Sequence, residues 1–167
     1  MEALAHDLLD RGPRSVDELW DALAATSLLP APPGPTTVVL ADDHPLFRDG
    51  LARAVSSHDD LRLVGEAEDG LVAVALVEEL EPDVALLDVR MPGLDGVEAC
   101  RAILRRRRRP TRVVLLSGHA DGWLEARARA AGAAGFLSKD ASRAEICEAL
   151  VEVAAGGTVF AGTRREC

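Results

Sequence analysis

Four short apolar runs each end on residues that can do chemistry. Val38-Val-Leu-Ala41 is followed by Asp42 and Asp43, Val84-Ala-Leu-Leu87 by Asp88, Val113-Val-Leu-Leu116 by Ser117, and Gly135-Phe-Leu137 by Ser138 and Lys139. A polar residue at one strand end is ordinary. Four runs delivering three carboxylates, two hydroxyls and an ammonium is a complementary set. Lys139 stands out further, because it is the one lysine among 19 basic residues. Coding bias toward arginine explains the others. Position 139 either escapes that bias by chance or needs a compact ammonium that a planar guanidinium cannot replace.

The chemistry of such a set is specific. Two carboxylates about 5 Å apart repel by about 3 kcal/mol at an effective dielectric near 20. Three therefore need cations, of which Lys139 supplies one. Hard oxygen donors suit Mg²⁺, which takes one or two carboxylates together with water and phosphate. With a phosphoryl group added, one carboxylate can act as nucleophile and form an acyl phosphate. Metal, ammonium and hydroxyl can then hold its oxygens, since phosphoryl transfer is mostly positioning and charge stabilisation.

Those residues converge only if the runs are neighbouring parallel strands, whose carboxyl ends share one edge. The surrounding pattern supplies such strands. After the first run, 45–57 fits a helix with Phe47, Leu51, Ala54 and Val55 on one face. Residues 61–67 read as a second strand and 70 to about 80 as a helix, with further helices predicted at 97 to about 107, 123–131 and 142–155. The order is βα five times over. Unalternating apolar strands between amphipathic helices imply a parallel sheet covered on both faces.

Residues 1–35 differ in character. Ser15-Val-Asp-Glu18 is a capping-box pattern ahead of Val16, Leu19, Trp20 and Leu23, and Pro30-Ala-Pro-Pro-Gly-Pro35 reads as a semi-rigid linker. The expected division is a helical extension and linker at 1–35, a main domain at 36–157 and a tail at 158–167. The 167 residues leave no room for two large domains. Apolar runs such as 71–77 fall far short of the roughly 20 residues of a bilayer span. The acidic start lacks the basic region of a secretion signal. Three cysteines without metal-ligand spacing point to reduced thiols in the cytoplasm. The formal net charge of −9 argues against nucleic-acid binding by this chain.

The motifs together resemble the receiver domain of response regulators, in its NarL/FixJ (LuxR-type) subfamily. Val-Val-Leu-Ala-Asp42-Asp43-His44-Pro-Leu-Phe-Arg-Asp-Gly50-Leu resembles the start of that subfamily. Asp83-Val-Ala-Leu-Leu-Asp88-Val-Arg-Met91-Pro92-Gly93-Leu-Asp-Gly96 resembles its phosphoacceptor strand and loop, and Ala131-Gly-Ala-Ala-Gly-Phe136-Leu-Ser-Lys139-Asp140 its fifth-strand signature. The resemblance implies a flavodoxin-like (βα)5 three-layer sandwich with strand order 2-1-3-4-5. It implies Asp88 as the residue phosphorylated by a histidine kinase. It implies Mg²⁺ held by Asp43 and Asp88, assisted by Asp42 and the Arg90 backbone carbonyl. Ser117 and Lys139 become phosphoryl partners, and Ser117 with Phe136 the coupled switch pair. Homodimerisation on phosphorylation is a further expectation, and in intact relatives the output is transcription.

Departures from the pattern are local. Asp140 stands where many receivers have proline, and Gly118 where a small alanine is frequent. The helix-turn-helix that usually follows is not expected in the ten residues after Gly157. Arg90 and His119, each two residues past a site residue, are positions from which side chains can overhang an acyl phosphate and tune its lifetime. His44 reads as a loop residue rather than a metal ligand, Cys100 and Cys147 as core residues, and the 105–109 arginine run as a solvated loop opposite the site. Two alternatives compete with the switch. An aspartyl-phosphate phosphatase of the haloacid-dehalogenase type needs an acid two residues after its nucleophile, where Arg90 stands. A receiver-like interaction module without phosphorylation would have no use for the intact acidic set.

Overall fold

The computed structural model describes residues 34–106, 110–119 and 121–160. The predicted helical extension with Trp20, most of the arginine run and Cys167 lie outside them. Within 35–160 the chain alternates strand and helix: β1 (Thr36–Ala41), α1 (Pro45–Ser57), β2 (Leu61–Ala67), α2 (Gly70–Leu80), β3 (Val84–Asp88), α3 (Gly96–Leu104), β4 (Arg112–Ser117), α4 (Gly122–Ala130), β5 (Gly135–Ser138), α5 (Arg143–Ala154) and β6 (Val159–Phe160).

Local chemistry sets the helix starts. Asp69, Asp95 and Asp121 each turn a side-chain oxygen onto a backbone N–H of the first turn of α2, α3 and α4. Ser142 and Glu145 close a capping box on α5. Helix α1 begins differently, with Pro45 in its first turn and no side-chain cap from His44. Helix α3 stops at Leu104, short of the predicted end near residue 107. The arginines beyond it cannot extend a buried face.

All strand pairs are parallel, in the order β2-β1-β3-β4-β5-β6. The predicted order 2-1-3-4-5 is present, with a sixth strand added at the β5 edge. Val159 and Phe160 pair with Gly135 and Phe136, so residues expected in the tail belong to the sheet. Alternate residues of each strand enter opposite cores, as in a sheet buried on both faces. Val39, Ala41, Leu87, Leu115 and Phe136 pack with Val77, Val97, Cys100 and Leu124 from α2, α3 and α4. Val38, Leu40, Leu86, Val114 and Leu116 pack with Leu51, Val55, Ile146 and Leu150 from α1 and α5. Packing of both faces under helices holds the strand ends in place.

Candidate functional site

Asp42 follows β1 directly, Asp88 is the last residue of β3 and Ser117 the last of β4, and all three are buried. Lys139 follows β5, and its Nζ lies 2.7 Å from Asp42 Oδ2 and 2.9 Å from Asp88 Oδ2. The predicted convergence of carboxylates and ammonium is therefore present. Asp43, more exposed, faces the same edge, and ligand atoms of Asp42, Asp43, His44 and Asp88 lie within 4.8 Å of one another.

Backbone bonds hold the edge. Lys139 N–H donates to the Ser117 carbonyl at 2.8 Å, and Val89 N–H to the Leu116 carbonyl at 2.8 Å. Arg90 N–H donates to Asp88 Oδ1 at 3.2 Å, and Arg48 Nη1 to the Asp42 carbonyl at 2.9 Å. The loop after Asp88 turns at Gly93, whose φ of 77° is left-handed, and returns so tightly that a Cβ on Gly96 would collide with the Asp88 carbonyl.

The electrostatics follow from burial. Desolvation pushes the Asp88 carboxyl above its ordinary value and Asp42 adds to this, while the hydrogen bond and charge of Lys139 pull it partly back. Burial alone would lower Lys139. Its hydrogen bonds and charge interactions with Asp42 and Asp88 outweigh that and raise it, so the ammonium stays charged at neutral pH. Three carboxylates around one ammonium leave an excess of negative charge that a hard divalent cation fits.

The remaining predicted residues gather nearby. A cleft of about 500 Å³ is lined by Asp88, Lys139, Arg90, Gly118 and His119, with His44, Leu46 and Phe47 on its other side. Arg90 and His119 thus share one opening with Asp88. The Ser117 hydroxyl donates to the His119 carbonyl at 2.8 Å and accepts its N–H at 3.1 Å, so it is occupied by its own loop here. Phe136 is fully buried.

Three residues escaped the sequence prediction. His44 is in the loop between β1 and α1, as read, but its Nδ1 lies 3.0 Å from Asp43 Oδ1 and 3.2 Å from Asp42 Oδ1, a contact with the acidic group that the reading did not foresee. The Phe47 ring, expected only on an apolar helix face, lies 4.7 Å from Lys139 Nζ and 4.2 Å from the Arg143 guanidinium. Arg48 anchors α1 to the first acidic residue. All three sit within six residues of Asp42, and that proximity was the available signal.

A doubly wound sheet with three carboxylates and one lysine at its carboxyl edge is the arrangement of a receiver domain. The model of the response regulator receiver domain matches residues 38–151, and the chain belongs to that family. It is 47% identical over 129 residues to the transcriptional regulatory protein NarL of Mycobacterium tuberculosis, covering 77% of this chain and 59% of that protein. It is 38% identical over 128 residues to the nitrate/nitrite response regulator NarL of Escherichia coli K12, covering 75% and 58%. The chain thus spans about three-fifths of the length of these relatives. Among solved structures, the signal receiver domain of M. tuberculosis NarL is similar, with a TM-score of 0.71 at 48% identity over 74% of this chain and 99% of that one.

Proposed function

We propose that this chain is the phosphoacceptor part of a two-component response regulator, taking a phosphoryl group from a histidine kinase onto Asp88 and passing the change to a transcriptional output. The observation that carries this is the single ammonium shared by two buried carboxylates, one of them at the end of β3. In the transfer, an Asp88 oxygen forms a bond to phosphorus as the phosphorus–nitrogen bond of the donor histidine breaks. The imidazole leaves with the electron pair and takes up a proton.

The residues divide the work. Asp43 and Asp88, with Asp42 and the Arg90 carbonyl, would hold Mg²⁺, which when bound supplies charge neutralisation for the phosphoryl oxygens. Lys139 moves from pairing Asp42 and Asp88 to pairing the phosphoryl group. Ser117 releases the His119 backbone to reach the same group, and Phe136 on the neighbouring strand responds to that movement. Arg90 and His119 overhang the product and tune its lifetime. The protein works in the cytoplasm, pairs with a second copy when phosphorylated and does not bind DNA through this chain, whose net charge is −9. No described helix is long and apolar enough to cross a membrane.

The test is phosphotransfer. Incubated with an autophosphorylated histidine kinase and Mg²⁺, the protein should gain label stoichiometrically and the kinase lose it. Steady turnover of a phosphate ester without labelling would instead support the phosphatase.

A further inference from the structure

Resting on the reading of Asp88 as phosphoacceptor, we infer that Phe47, backed by Arg143, is a positioning residue for Lys139: its ring face holds the ammonium at the site before a phosphoryl group arrives. The Phe47 ring centroid lies 4.7 Å from Lys139 Nζ, with the ammonium over the ring. Both residues line the cleft that contains Asp88. Asp42 Oδ2 and Asp88 Oδ2 stand 2.7 Å and 2.9 Å from the same Nζ. The aromatic face adds a third, weaker attraction of a different kind.

That difference matters for transfer. A lysine carries its charge on a flexible four-carbon stem. On phosphorylation the ammonium must exchange carboxylate oxygens for phosphoryl oxygens. A ring face attracts positive charge through its quadrupole and has no lone pair to offer an N–H group. It therefore keeps the ammonium in place without competing with the phosphoryl oxygens. A cation already in position stabilises developing charge without further reorganisation. Leucine at 47 would fill similar space and lack this attraction.

The ring itself is held. Phe47 lies in the first turn of α1, half-buried against the core that α1 shares with α5. The Arg143 guanidinium lies over the ring, with Cζ 4.2 Å from the centroid. Arg143 opens α5, where a cation opposes the positive end of the helix dipole, so helix chemistry gives no reason for an arginine there. Gly50 lies three residues after Phe47, on the same face of α1. A Cβ on Gly50 would stand 3.3 Å from Arg143 Nη2 and 3.6 Å from Nε. The bare backbone at 50 leaves room for the guanidinium beside the ring. Phe47, Gly50 and Arg143 thus join α1 to the start of α5, directly after Lys139 in the chain.

The experiment uses the full 167-residue chain with a small acyl or amido phosphate as donor and saturating Mg²⁺. Phe47→Leu should lower the maximal rate of Asp88 phosphorylation about three- to tenfold, the scale of a cation–π contact partly shielded from water. The half-saturating donor concentration should change less than about twofold. Phe47→Tyr, which keeps the aromatic face, should retain the rate, and ring fluorination at position 47, which weakens the face at nearly constant shape, should lower it stepwise. Arg143→Gln should give a smaller loss. In a Lys139→Ala background, Phe47→Leu should have no further effect. A rate at or above wild type in Phe47→Leu or in Arg143→Gln overturns the inference. So does Phe47→Tyr as slow as Phe47→Leu, indifference to fluorination, or equal slowing when Lys139 is absent. A loss confined to transfer from an autophosphorylated kinase also overturns it, because Phe47 would then serve docking and not Lys139. Asp88→Asn labelled as well as wild type would overturn the phosphoacceptor reading itself, whatever Phe47 does.

Discussion

Lys139 Nζ donates to Asp88 Oδ2 at 2.9 Å, closing a contact between residues 51 positions apart. Its side chain is mostly enclosed, between Phe47 and two buried carboxylates. A guanidinium is larger and planar and does not fit between Asp42 and Asp88 as a point charge does. Lys139→Arg is expected to slow phosphorylation of Asp88 by a small-molecule donor about tenfold or more, equivalent to about 1.4 kcal/mol. A wild-type rate would show that any cation suffices there and return the lone lysine to coding bias.

Gly96 offers a separate test of how Asp88 is held. Its N–H donates to the Val89 carbonyl at 2.9 Å, and an added Cβ would run into the Asp88 backbone, which cannot rotate away as a side chain can. Gly96→Ala is expected to cost about 1–3 kcal/mol in urea unfolding, the range for overpacking, and to impair phosphorylation. Gly118→Ala is the control, because a Cβ there meets nothing within 4 Å. It should fall within about 0.5 kcal/mol of wild type.

Arg90 lines the same cleft as Asp88. A long cation folded over the acyl phosphate blocks water from the line of the oxygen–phosphorus bond. Arg90→Ala is expected to shorten the lifetime of the phosphorylated form at least about twofold, or about 0.4 kcal/mol, with Mg²⁺ saturating. Decay at the wild-type rate or slower rejects the shielding role.

The cysteine thiols report on the core. Burial pushes Cys100 up to about 12, with Arg101 offsetting a little, and burial aided by Glu148 raises Cys147. Unfolded thiols ionise near 9.0. The folded state thus favours the protonated thiols. The Cys100 contribution to stability is complete below pH 9 and is lost as pH rises from there toward 12, and that of Cys147 is likewise lost above pH 9. In Cys167→Ser, a thiol reagent at pH 8 should label neither remaining cysteine until urea unfolds the protein. Prompt labelling of the native form would contradict this packing.

The site was legible because its residues mark the ends of uniformly apolar strands. Where a buried strand stops at its carboxyl end, a side chain enters the crevice, so Asp42, Asp88 and Lys139 could be placed together before any contact was seen. Both sheet faces were legible for the same reason, since strands without alternation have no solvent side. Residues 159 and 160 were not legible as a strand. Two residues carry no period, and their pairing depends on where α5 delivers the chain. His44 and Phe47 were missed because periodicity gives the face of an element and not the direction in which an end-turn side chain leans. The hydrogen bond between Ser117 and the His119 backbone likewise depends on loop geometry that strand patterning does not encode.

The phosphoryl group is expected on Asp88. Intact-mass analysis after incubation with Mg²⁺ and a small acyl or amido phosphate measures it most directly. Wild-type protein should gain one phosphoryl group, lost again in base as expected of an acyl phosphate, and Asp88→Asn should gain none. Equal labelling of Asp88→Asn would contradict the assignment.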